Sequence, residues 1–313
     1  MIRKKNLISI CDLSKKEIKI VLNKSLEFKN NKVQTNILYG DKLKGKMLGL
    51  LFEKPSTRTM VSFATAMVNL GGIPIFLNTE KLQCSRGESI HDTALVLSRY
   101  LNGIIIRTFK HCDLEEFAKY STIPVINGLT DSEHPCQILS SIMTIMELHK
   151  IRDIEVLKKI KIVYIGDGSN NIATSFFLIS IILELDLTII SPKQYCVKKE
   201  LLKLITNNIN ITSDISLVEN ADVIYTDVWT SMGFESEKNK RKEIFISYQV
   251  NEKLLKKASA KCVVLHCLPA IRGEEITTEI MNKYEYSIFM EVENRLHVQK
   301  AILLYFLVRN SFN

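Results

Sequence analysis

The sequence predicts an α/β protein with two domains, each a doubly wound parallel sheet flanked by helices. Short apolar runs alternate with helix-length periodic segments along the chain, which is typical of parallel-sheet architecture. The length of 313 residues exceeds the usual size of one domain, so two cores are expected. Because ligands of such sheets bind beyond the carboxyl ends of the strands, we expect the functional site in the cleft between the domains.

The first predicted sheet takes its strands from four apolar runs, at residues 47–52, 73–77, 103–107 and 124–127. Periodic segments at 56–70, 88–101, 113–120 and 135–150 supply its helices. Ser14 with Glu17 forms a capping-box pattern, which predicts that an amphipathic helix opens close to the N-terminus.

The second predicted sheet uses strands at 161–166, 187–191, 222–227 and 262–267. The polar segment 231–241, which contains Gly233, predicts a mobile loop. A long amphipathic helix at 293–309 is expected to cross back onto the first domain. The predicted boundaries are therefore 1–148, joined by 293–313, for the first domain and 149–292 for the second.

Composition indicates a soluble globular protein of a reducing compartment. Apolar residues make up 46% of the chain and charged residues 24%, and no apolar run approaches the roughly 20 residues of a membrane span. From the residues at the N-terminus we expect neither a secretory signal nor a transit peptide. Seven cysteines without a CxxC pair indicate free thiols, so we expect a cytoplasmic protein without a metal site.

The net charge of +8 can be interpreted in more than one way. Nucleic-acid binding is one, but the lysines are scattered among Ile and Asn and form no stripe, which favours a solvated surface. A small anionic substrate also suits this charge. We therefore expect neither a nucleic-acid partner nor a membrane.

The segment after the first strand combines the features of a phosphate site. Ser56 is a good N-cap, and the free amides and dipole of a helix start favour an anion. Thr57, Arg58 and Thr59 add donors at the same place. Arg107 ends the strand at 103–107, where it suits an anion clamp. The alternative for a segment of this kind is a capped helix with an exposed arginine.

A second polar group opens the helix predicted at 135–150. Pro135 suits the first turn of a helix, and His134 and Gln137 are three residues apart, so they share one face. A single histidine at a helix start is often only a cap or a core residue. Its position after a strand, following the Ser-Thr-Arg-Thr segment, favours a ligand-binding role.

Together with two later motifs, these segments resemble the aspartate/ornithine carbamoyltransferase family, and among its members the ornithine carbamoyltransferases. The motifs are FEKPSTRT at 52–59, HPCQ at 134–137, DVWTSMG at 227–233 and HCLPA at 266–270. The resemblance covers roughly residues 7–304. It implies that carbamoyl phosphate is bound by Ser56, Thr57, Arg58, Thr59, Gln83, Arg107, His134, Pro135, Cys136, Gln137 and Arg295, with Gln83 offered to the site of a neighbouring subunit.

The same resemblance implies an ornithine site in the second half of the chain. Its residues are Asn171, Asp227, Ser231, Met232, Cys267 and Leu268, although Ser169 lengthens the turn so that Asn170 is an alternative to Asn171. A free cysteine is commonly a buried structural residue, but in this motif Cys267 resembles the thiol beside the attacking amine. The residues implied in catalysis are Arg58, Arg107, His134, Asp227 and Cys267.

The activity implied is carbamoyl transfer from carbamoyl phosphate to L-ornithine, in arginine biosynthesis or in the reverse direction, without a cofactor and in a homotrimer or a multiple of trimers. Relatives that use putrescine or acetylornithine are the alternative within the family. A nicotinamide-dependent oxidoreductase is suggested by Gly166 and Gly168, but Asn171 occupies the third glycine position of that fingerprint. A nonenzymatic basic binding protein is the remaining alternative.

Overall fold

The computed structural model describes residues 6–78, 82–231, 233 and 235–308, with only the backbone at 84, 85 and 235. Within this part of the chain there are nine strands, β1 Met47–Phe52, β2 Ile73–Leu77, β3 Gly103–Arg107, β4 Val125–Leu129, β5 Lys161–Ile165, β6 Asp186–Ile190, β7 Ile209–Thr212, β8 Val223–Thr226 and β9 Val263–His266. The α-helices of the same part are α1 Lys15–Asn30, α2 Lys32–Tyr39, α3 Arg58–Asn69, α4 Ile90–Tyr100, α5 His111–Tyr120, α6 Pro135–Leu148, α7 Asn171–Leu183, α8 Lys199–Leu202, α9 Lys238–Phe245, α10 Glu252–Leu255, α11 Thr278–Lys283 and α12 Glu285–Leu307.

The chain divides into two compact units, which we number in chain order. Unit 1 comprises Met1–Met143 and Glu293–Asn313, and unit 2 comprises Thr144–Val292. Each unit contains one parallel sheet. This agrees with the α/β class that the alternating apolar runs predict.

The sheet of unit 1 has the strand order β2-β1-β3-β4, and all its pairs are parallel. Strands β1, β3 and β4 are largely buried, as is typical of a parallel sheet, whereas the edge strand β2 is partly exposed. Ile104 and Ile105 in β3 are fully buried, as are Leu114 in α5 and Ala94 in α4. Gly49 in β1 fits closely, since a Cβ atom there would lie 2.5 Å from Leu101 Cδ1.

The segment before α1 runs beside the edge strand β4. Leu7 N–H donates to Val125 O at 2.9 Å, and Asn127 N–H donates to Leu7 O at 2.8 Å. Ile10 N–H donates to the buried carboxylate of Glu133 at 3.0 Å. These bonds pair backbone groups on the outer side of β4. The edge of the sheet next to the second motif is therefore covered.

The C-terminal part of α12 belongs to unit 1, as predicted. Tyr305 Oη donates to Glu17 in α1 at 2.5 Å, and Leu307 packs against Gly103 of β3. Glu17 also closes the predicted capping box, since it accepts from the backbone N–H of Ser14 while the Ser14 hydroxyl oxygen accepts from Glu17 N–H.

The sheet of unit 2 has the strand order β7-β6-β5-β8-β9 and is parallel throughout. One face carries an aromatic cluster of Tyr164, Phe176 and Tyr225, in which the Phe176 and Tyr225 rings meet edge to face at 4.6 Å. The other face packs apolar residues of β5, β8 and β9 against α10 and α11. Both cores are continuous enough to hold the strand ends in fixed positions.

The structure differs from the predicted local structure at four places. Ser56 is not the N-cap of α3, because the helix begins at Arg58 and the cap is Thr57, whose side chain makes no capping hydrogen bond. The segment 231–241 is not a loop throughout, since Glu235–Glu237 forms a 3-10 turn and α9 starts at Lys238. Strand β7 was missed. Helix α12 begins at Glu285, so the predicted start at Glu293 was too late.

No described helix combines the length and apolar character that a membrane crossing needs.

Candidate functional site

The ends of β1 and β3 bring the first predicted motif and Arg107 together. Pro55 disfavours a helical conformation at Lys54, the residue before it, and α3 starts at Arg58. Glu53 N–H donates to Arg107 O at 2.9 Å, and the Thr108 hydroxyl donates to the Glu53 carboxylate. These bonds extend the β1–β3 pairing by one residue and fix the start of the motif.

Arg107 lies in the middle of this group. Its Nη1 donates to Ser56 Oγ at 3.3 Å, and the side chain is buried. Burial and the charges of Arg295 and Arg58 lower the pKa of Arg107 to about 10. A buried guanidinium next to two others is unfavourable in an empty site, so the arrangement favours binding of an anion.

Arg295 of α12 connects the first motif to the second. One of its nitrogens, Nη2, donates to Thr59 Oγ1 and approaches His134 Nε2 at 3.3 Å. All three residues are buried. Because a guanidinium can only donate, His134 Nε2 must accept, and the imidazole is neutral with its proton on Nδ1. Burial, together with Arg295, Arg107 and Arg58, holds the pKa of His134 well below its ordinary value.

The second motif is held by the start of α6. Pro135 is the first helical residue, as predicted, and His134 O accepts from Gln137 N–H at 3.0 Å. Gln137 is 1% exposed. Cys136 Sγ points instead to Asn127 O of β4 at 3.5 Å, and burial raises the pKa of this thiol to about 12. Cys136 is therefore an inert packing residue, and the polar face of the helix start belongs to His134 and Gln137.

The structure thus brings Ser56, Arg58, Thr59, Arg107, His134 and Arg295 into one group in unit 1, which we call the arginine cluster. Thr57 is exposed at the start of α3. Gln83 is exposed on the 3-10 turn Gln83–Arg86, and among the described residues no hydrogen bond joins it to the arginine cluster.

A second polar group lies at the carboxyl ends of β5, β8 and β9 in unit 2. Cys267 Sγ donates to Asp227 Oδ1 at 3.0 Å, and Asn170 Nδ2 donates to Asp227 Oδ2 at 3.2 Å. Burial raises the pKa of Asp227, while His266, the Cys267 thiol and Val228 N–H act in the opposite direction. The carboxylate is thus a buried acceptor that suits a cationic partner.

Asn170 and Asn171 have different positions. Asn170 is the N-cap of α7, where its Oδ1 accepts from Ala173 N–H at 2.8 Å. Its Nδ2 also donates to Tyr164 Oη at 2.8 Å, in addition to Asp227. Asn171 is the first residue of the helix and is half-buried. The amide of Asn170 is therefore committed to holding the turn and the Asp227 carboxylate.

The segment after β8 is anchored by Arg241 of α9. Arg241 Nη1 donates to Asp167 Oδ2 at 2.7 Å and to Trp229 O at 3.0 Å, and the ion pair is nearly inaccessible to solvent. The guanidinium also stacks over Tyr195 at 4.5 Å. Arg241 thus ties the segment before Ser231 to the turn after β5. Ser231 itself is half-buried, and Met232 lies outside the described residues.

The turn after β9 has an unusual backbone. Leu268 has a φ of 58°, in the left-handed region, and is followed by a cis bond to Pro269. A residue with a side chain pays about 1–2 kcal/mol for this conformation. Leu268 N–H donates to His266 Nδ1 at 2.9 Å, and His266 Nε2 contacts Glu275 Oε1 at 2.9 Å. The imidazole therefore carries its proton on Nε2.

Asp227, His266 and Cys267 have ligand atoms within 4.8 Å of one another, which is a possible metal-binding geometry. Both imidazole nitrogens of His266 are already engaged, one by Leu268 N–H and the other by Glu275. An Asp/Cys pair alone is a poor ligand set for zinc. The donor set therefore fits an amine or ammonium partner better than a metal ion.

Sequence reasoning did not assign a role to Tyr164, Arg241 or Glu275. Their only signals were single polar residues: Tyr164 inside an apolar strand, and Glu275 and Arg241 in segments that resembled loops. Their partners lie 6 to 74 residues away along the chain, so no local pattern reveals them.

Comparison with known proteins gives matches over nearly the whole chain. Residues 5–147 match the model of the carbamoyl-P binding domain of aspartate/ornithine carbamoyltransferase, and residues 158–306 match its Asp/Orn binding domain. The ornithine carbamoyltransferase of Syntrophus aciditrophicus is 47% identical over 305 residues, which cover 96% of this chain and 98% of the relative. That of Bacillus subtilis is 45% identical over 307 residues, covering 96% and 92%.

Solved structures agree with these relatives. Ornithine carbamoyltransferase from Pyrococcus furiosus matches with a TM-score of 0.86 and 42% identity, covering 96% of each chain. The anabolic ornithine carbamoyltransferase of Campylobacter jejuni matches with a TM-score of 0.88 and 37% identity, covering 96% of this chain and 98% of that chain.

Proposed function

The chain belongs to the aspartate/ornithine carbamoyltransferase family, and from this membership we propose that it transfers the carbamoyl group of carbamoyl phosphate to the side-chain amine of L-ornithine. The products are L-citrulline and phosphate. The observation that carries the proposal is the arginine cluster, in which Arg58, Arg107 and Arg295 gather in unit 1 beside a neutral His134.

In this proposal the arginine cluster binds carbamoyl phosphate. Arg58, with Ser56 and the start of α3, holds the phosphate, because backbone amides and the helix dipole favour an anion there. Arg107 bridges the phosphate and the carbamoyl group. The lowered pKa of Arg107 supports this assignment, since a bound dianion compensates the repulsion among the three guanidinium groups. Gln137 and Gln83 are further proposed contacts.

The reaction then needs stabilisation of a developing oxyanion. The amine nitrogen attacks the carbamoyl carbon, and the carbonyl oxygen gains negative charge in the tetrahedral intermediate. We assign Arg107, Arg295, Thr59 and His134 to this oxygen. The neutral state of His134 suits it to hydrogen bonding, and the contact of Arg295 with both Thr59 and His134 holds the donors in place before the substrate arrives.

The intermediate collapses by breaking the bond between the carbamoyl carbon and the bridging anhydride oxygen, which leaves with the phosphate. The leaving phosphate gains charge, which rests on Arg58 and the start of α3. It also accepts the proton that the amine nitrogen loses after attack, and the proton that the side-chain ammonium gave up before attack goes to solvent, so atoms and charge balance without a separate protein base. This step uses no metal ion in our proposal.

The ornithine half of the site is assigned to unit 2. Asp227 pairs with the α-ammonium group, and Ser231 with Met232 holds the amino acid end. Cys267 and the carbonyl of Leu268 receive the side-chain amine, whose free pKa is about 10.4, and stabilise it in the position from which it attacks after losing a proton. Asn171 is the proposed ligand among the two asparagines, a choice supported by the commitment of the Asn170 amide to Ala173, Tyr164 and Asp227.

Bringing two bound substrates together supplies much of the rate acceleration, since positioned reactants avoid the entropy cost of a bimolecular encounter. We propose that one substrate is bound by a carbamoyl-phosphate-binding domain, 1–148 with 293–313, and the other by an ornithine-binding domain, 149–292. The segment Ser231–Gly233 is the proposed lid.

The decisive experiment offers carbamoyl phosphate to the purified protein with each of four acceptors: ornithine, putrescine, acetylornithine and aspartate. We expect citrulline from ornithine at a rate far above the other three products. A higher rate with putrescine or acetylornithine would assign the chain to another acceptor within the family. No transfer to any acceptor would overturn the proposal.

Arg58→Ala tests the phosphate assignment in the same assay. We expect turnover to fall by about 10²–10³-fold, the usual loss for removing one donor to a developing charge. Arg99→Ala is the matched control, because Arg99 is an exposed arginine on α4. Turnover of Arg58→Ala equal to that of the control would reject the role of Arg58.

We further propose a cytoplasmic homotrimer, or a multiple of trimers, in which Gln83 reaches the active site of the neighbouring subunit. The exposure of Gln83 on its 3-10 turn supports this arrangement. Mixing inactive Gln83→Ala and Arg107→Met subunits after dissociation should restore activity, because some sites then contain neither substitution. Hybrids with no more activity than the parents would refute shared sites.

A further inference from the structure

The turn that follows β9 is built around a buried pair, His266 and Glu275. Both side chains are 0% exposed, and His266 Nε2 donates to Glu275 Oε1 at 2.9 Å. The same carboxylate oxygen accepts from Ile271 N–H at 2.6 Å. On its other side His266 Nδ1 accepts from Leu268 N–H at 2.9 Å. The imidazole thus holds the backbone amide of Leu268 and the carboxylate holds that of Ile271, on either side of residues 269 and 270.

Glu275 is itself fixed by backbone bonds. Val250 N–H donates to Glu275 O at 2.8 Å, and Gly273 N–H donates to Ile276 O at 2.8 Å. These backbone bonds fix the position of the Glu275 carboxylate. The hydrogen bonds to this carboxylate in turn fix the backbone of the turn. His266 is equally constrained, because it ends a buried strand paired with β8 at Thr226.

The turn needs such support. Leu268 has a left-handed φ of 58°, which a leucine avoids unless its surroundings impose it. Cys267, between His266 and Leu268, directs its Sγ to Asp227 Oδ1 at 3.0 Å. Any relaxation of Leu268 rotates the adjoining peptide groups, and with them the carbonyl of Leu268 and the thiol of Cys267.

We propose that the His266–Glu275 pair is a positioning device that shapes the Cys267–Leu268 turn to receive the acceptor's side-chain amine. The two residues do not touch the substrate and act through the turn. They should therefore govern the reaction of acceptors with a terminal amine and leave recognition of the amino acid end and of carbamoyl phosphate nearly unchanged. This inference rests on the proposed function, since it names the support of the same site.

L-norvaline separates the two ends of the acceptor, because it is ornithine without the side-chain amine. His266→Gln can place its Nε2 donor toward Glu275, but it then has no acceptor at the position of the imidazole Nδ1, to which Leu268 N–H donates. In this variant we expect kcat/KM for ornithine to fall by about 100-fold, the loss that a displacement of about 1 Å can cause. The inhibition constant of norvaline and the KM for carbamoyl phosphate should change by less than about threefold.

Glu275→Gln is the matched control. A glutamine oxygen can still accept from His266 Nε2–H and Ile271 N–H, so the geometry is kept although the charge is lost, and ornithine kinetics should stay within about fivefold of the native values. A folded His266→Gln protein with native ornithine kinetics would overturn the proposal. So would a loss of norvaline affinity as large as the loss in ornithine kinetics, because that result indicates general damage to unit 2.

A measurement on the unmodified protein covers the case in which His266→Gln does not fold. Amide hydrogen exchange should show slow exchange at Leu268 and Ile271 before any substrate is added, since both amides are already hydrogen-bonded. Fast exchange at these two amides in the free protein would refute preorganisation. If the unmodified protein makes no citrulline, the proposed function fails, whereas norvaline binding and exchange still report on the turn.

Discussion

Arg107→Met should stabilise the unliganded protein while abolishing its activity. The pKa of Arg107 is lowered from 12.5 to about 10, and each tenfold change in proton affinity corresponds to about 1.4 kcal/mol. Keeping this side chain protonated therefore costs about 3 kcal/mol more in the folded protein than in the unfolded chain. Methionine has a similar length and no charge, so it removes this cost.

The gain is reduced by the lost hydrogen bond from Arg107 to Ser56, which at 3.3 Å contributes about 1.5 kcal/mol. A net stabilisation of about 1.5 kcal/mol remains, or about 3–6 °C in melting temperature for a unit of this size. Because the folded pKa lies below the unfolded one, the cost is fully present below pH 10 and is relieved only as the pH rises from about 10 towards 12.5. At pH 7 the whole effect should be measurable.

The assay is thermal unfolding at pH 7, with and without inorganic phosphate. Phosphate should raise the melting temperature of the native protein, by about 2.7 kcal/mol of stability at 100 times its dissociation constant, and should raise that of Arg107→Met much less. Arg99→Met, on the exposed surface of α4, is the control and should keep the full response. An Arg107→Met protein that melts lower than the native one without phosphate would refute the reasoning.

Four further substitutions or reactions test other parts of the structure. Cys267→Ala should raise the KM for ornithine more than it lowers kcat, because the thiol lies beside Asp227; steady-state kinetics that show an unchanged KM would contradict this. Arg241→Met should raise the KM for ornithine about tenfold with little change for carbamoyl phosphate, since it releases the segment before Ser231; equal effects on both substrates would argue against a local role. Gly49→Ala should destabilise unit 1 by about 1–3 kcal/mol through overpacking, measured by denaturant unfolding, and a stability within error of the native value would disprove the tight fit. Iodoacetamide at pH 8 should modify exposed Cys112 well before buried Cys136, whose pKa is raised to about 12; peptide mass spectrometry that finds similar rates would show that Cys136 is accessible.

The strands could be predicted closely because most are nearly continuous apolar runs, as burial on both faces favours in β1 and β3, and the partly exposed edge strand β2 is also apolar in sequence. Strands β1, β2 and β3 have the predicted bounds, and the other predicted strands shift by one or two residues. Strand β7 was missed because it lies at the edge of its sheet, where only its first residue, Ile209, is buried, and its sequence Ile-Asn-Ile-Thr carries no apolar run.

The candidate site could be predicted in its residue types but not in its contacts. The Ser-Thr-Arg-Thr and His-Pro-Cys-Gln segments were recognised from their order and from their positions after strands. The bonds that join them, from Arg295 to Thr59 and to His134, span 236 and 161 residues along the chain. Spacing along a sequence carries no information on such distances. The Ser56 cap was predicted wrongly because Ser56, Thr57 and Thr59 are adjacent candidates, and the residue types alone do not show which of them precedes the first helical residue.

The covering of β4 by the N-terminal segment has a consequence for folding during synthesis. The residues that Leu7 and Ile10 contact, Val125, Asn127 and Glu133, leave the ribosome more than a hundred residues later. The first segment must therefore wait, without its native partners, until most of unit 1 has been made, which places its docking late in the assembly of that unit. Glu133 directly precedes His134, so the late docking of Leu7 and Ile10 also completes the contacts that hold the start of the second motif.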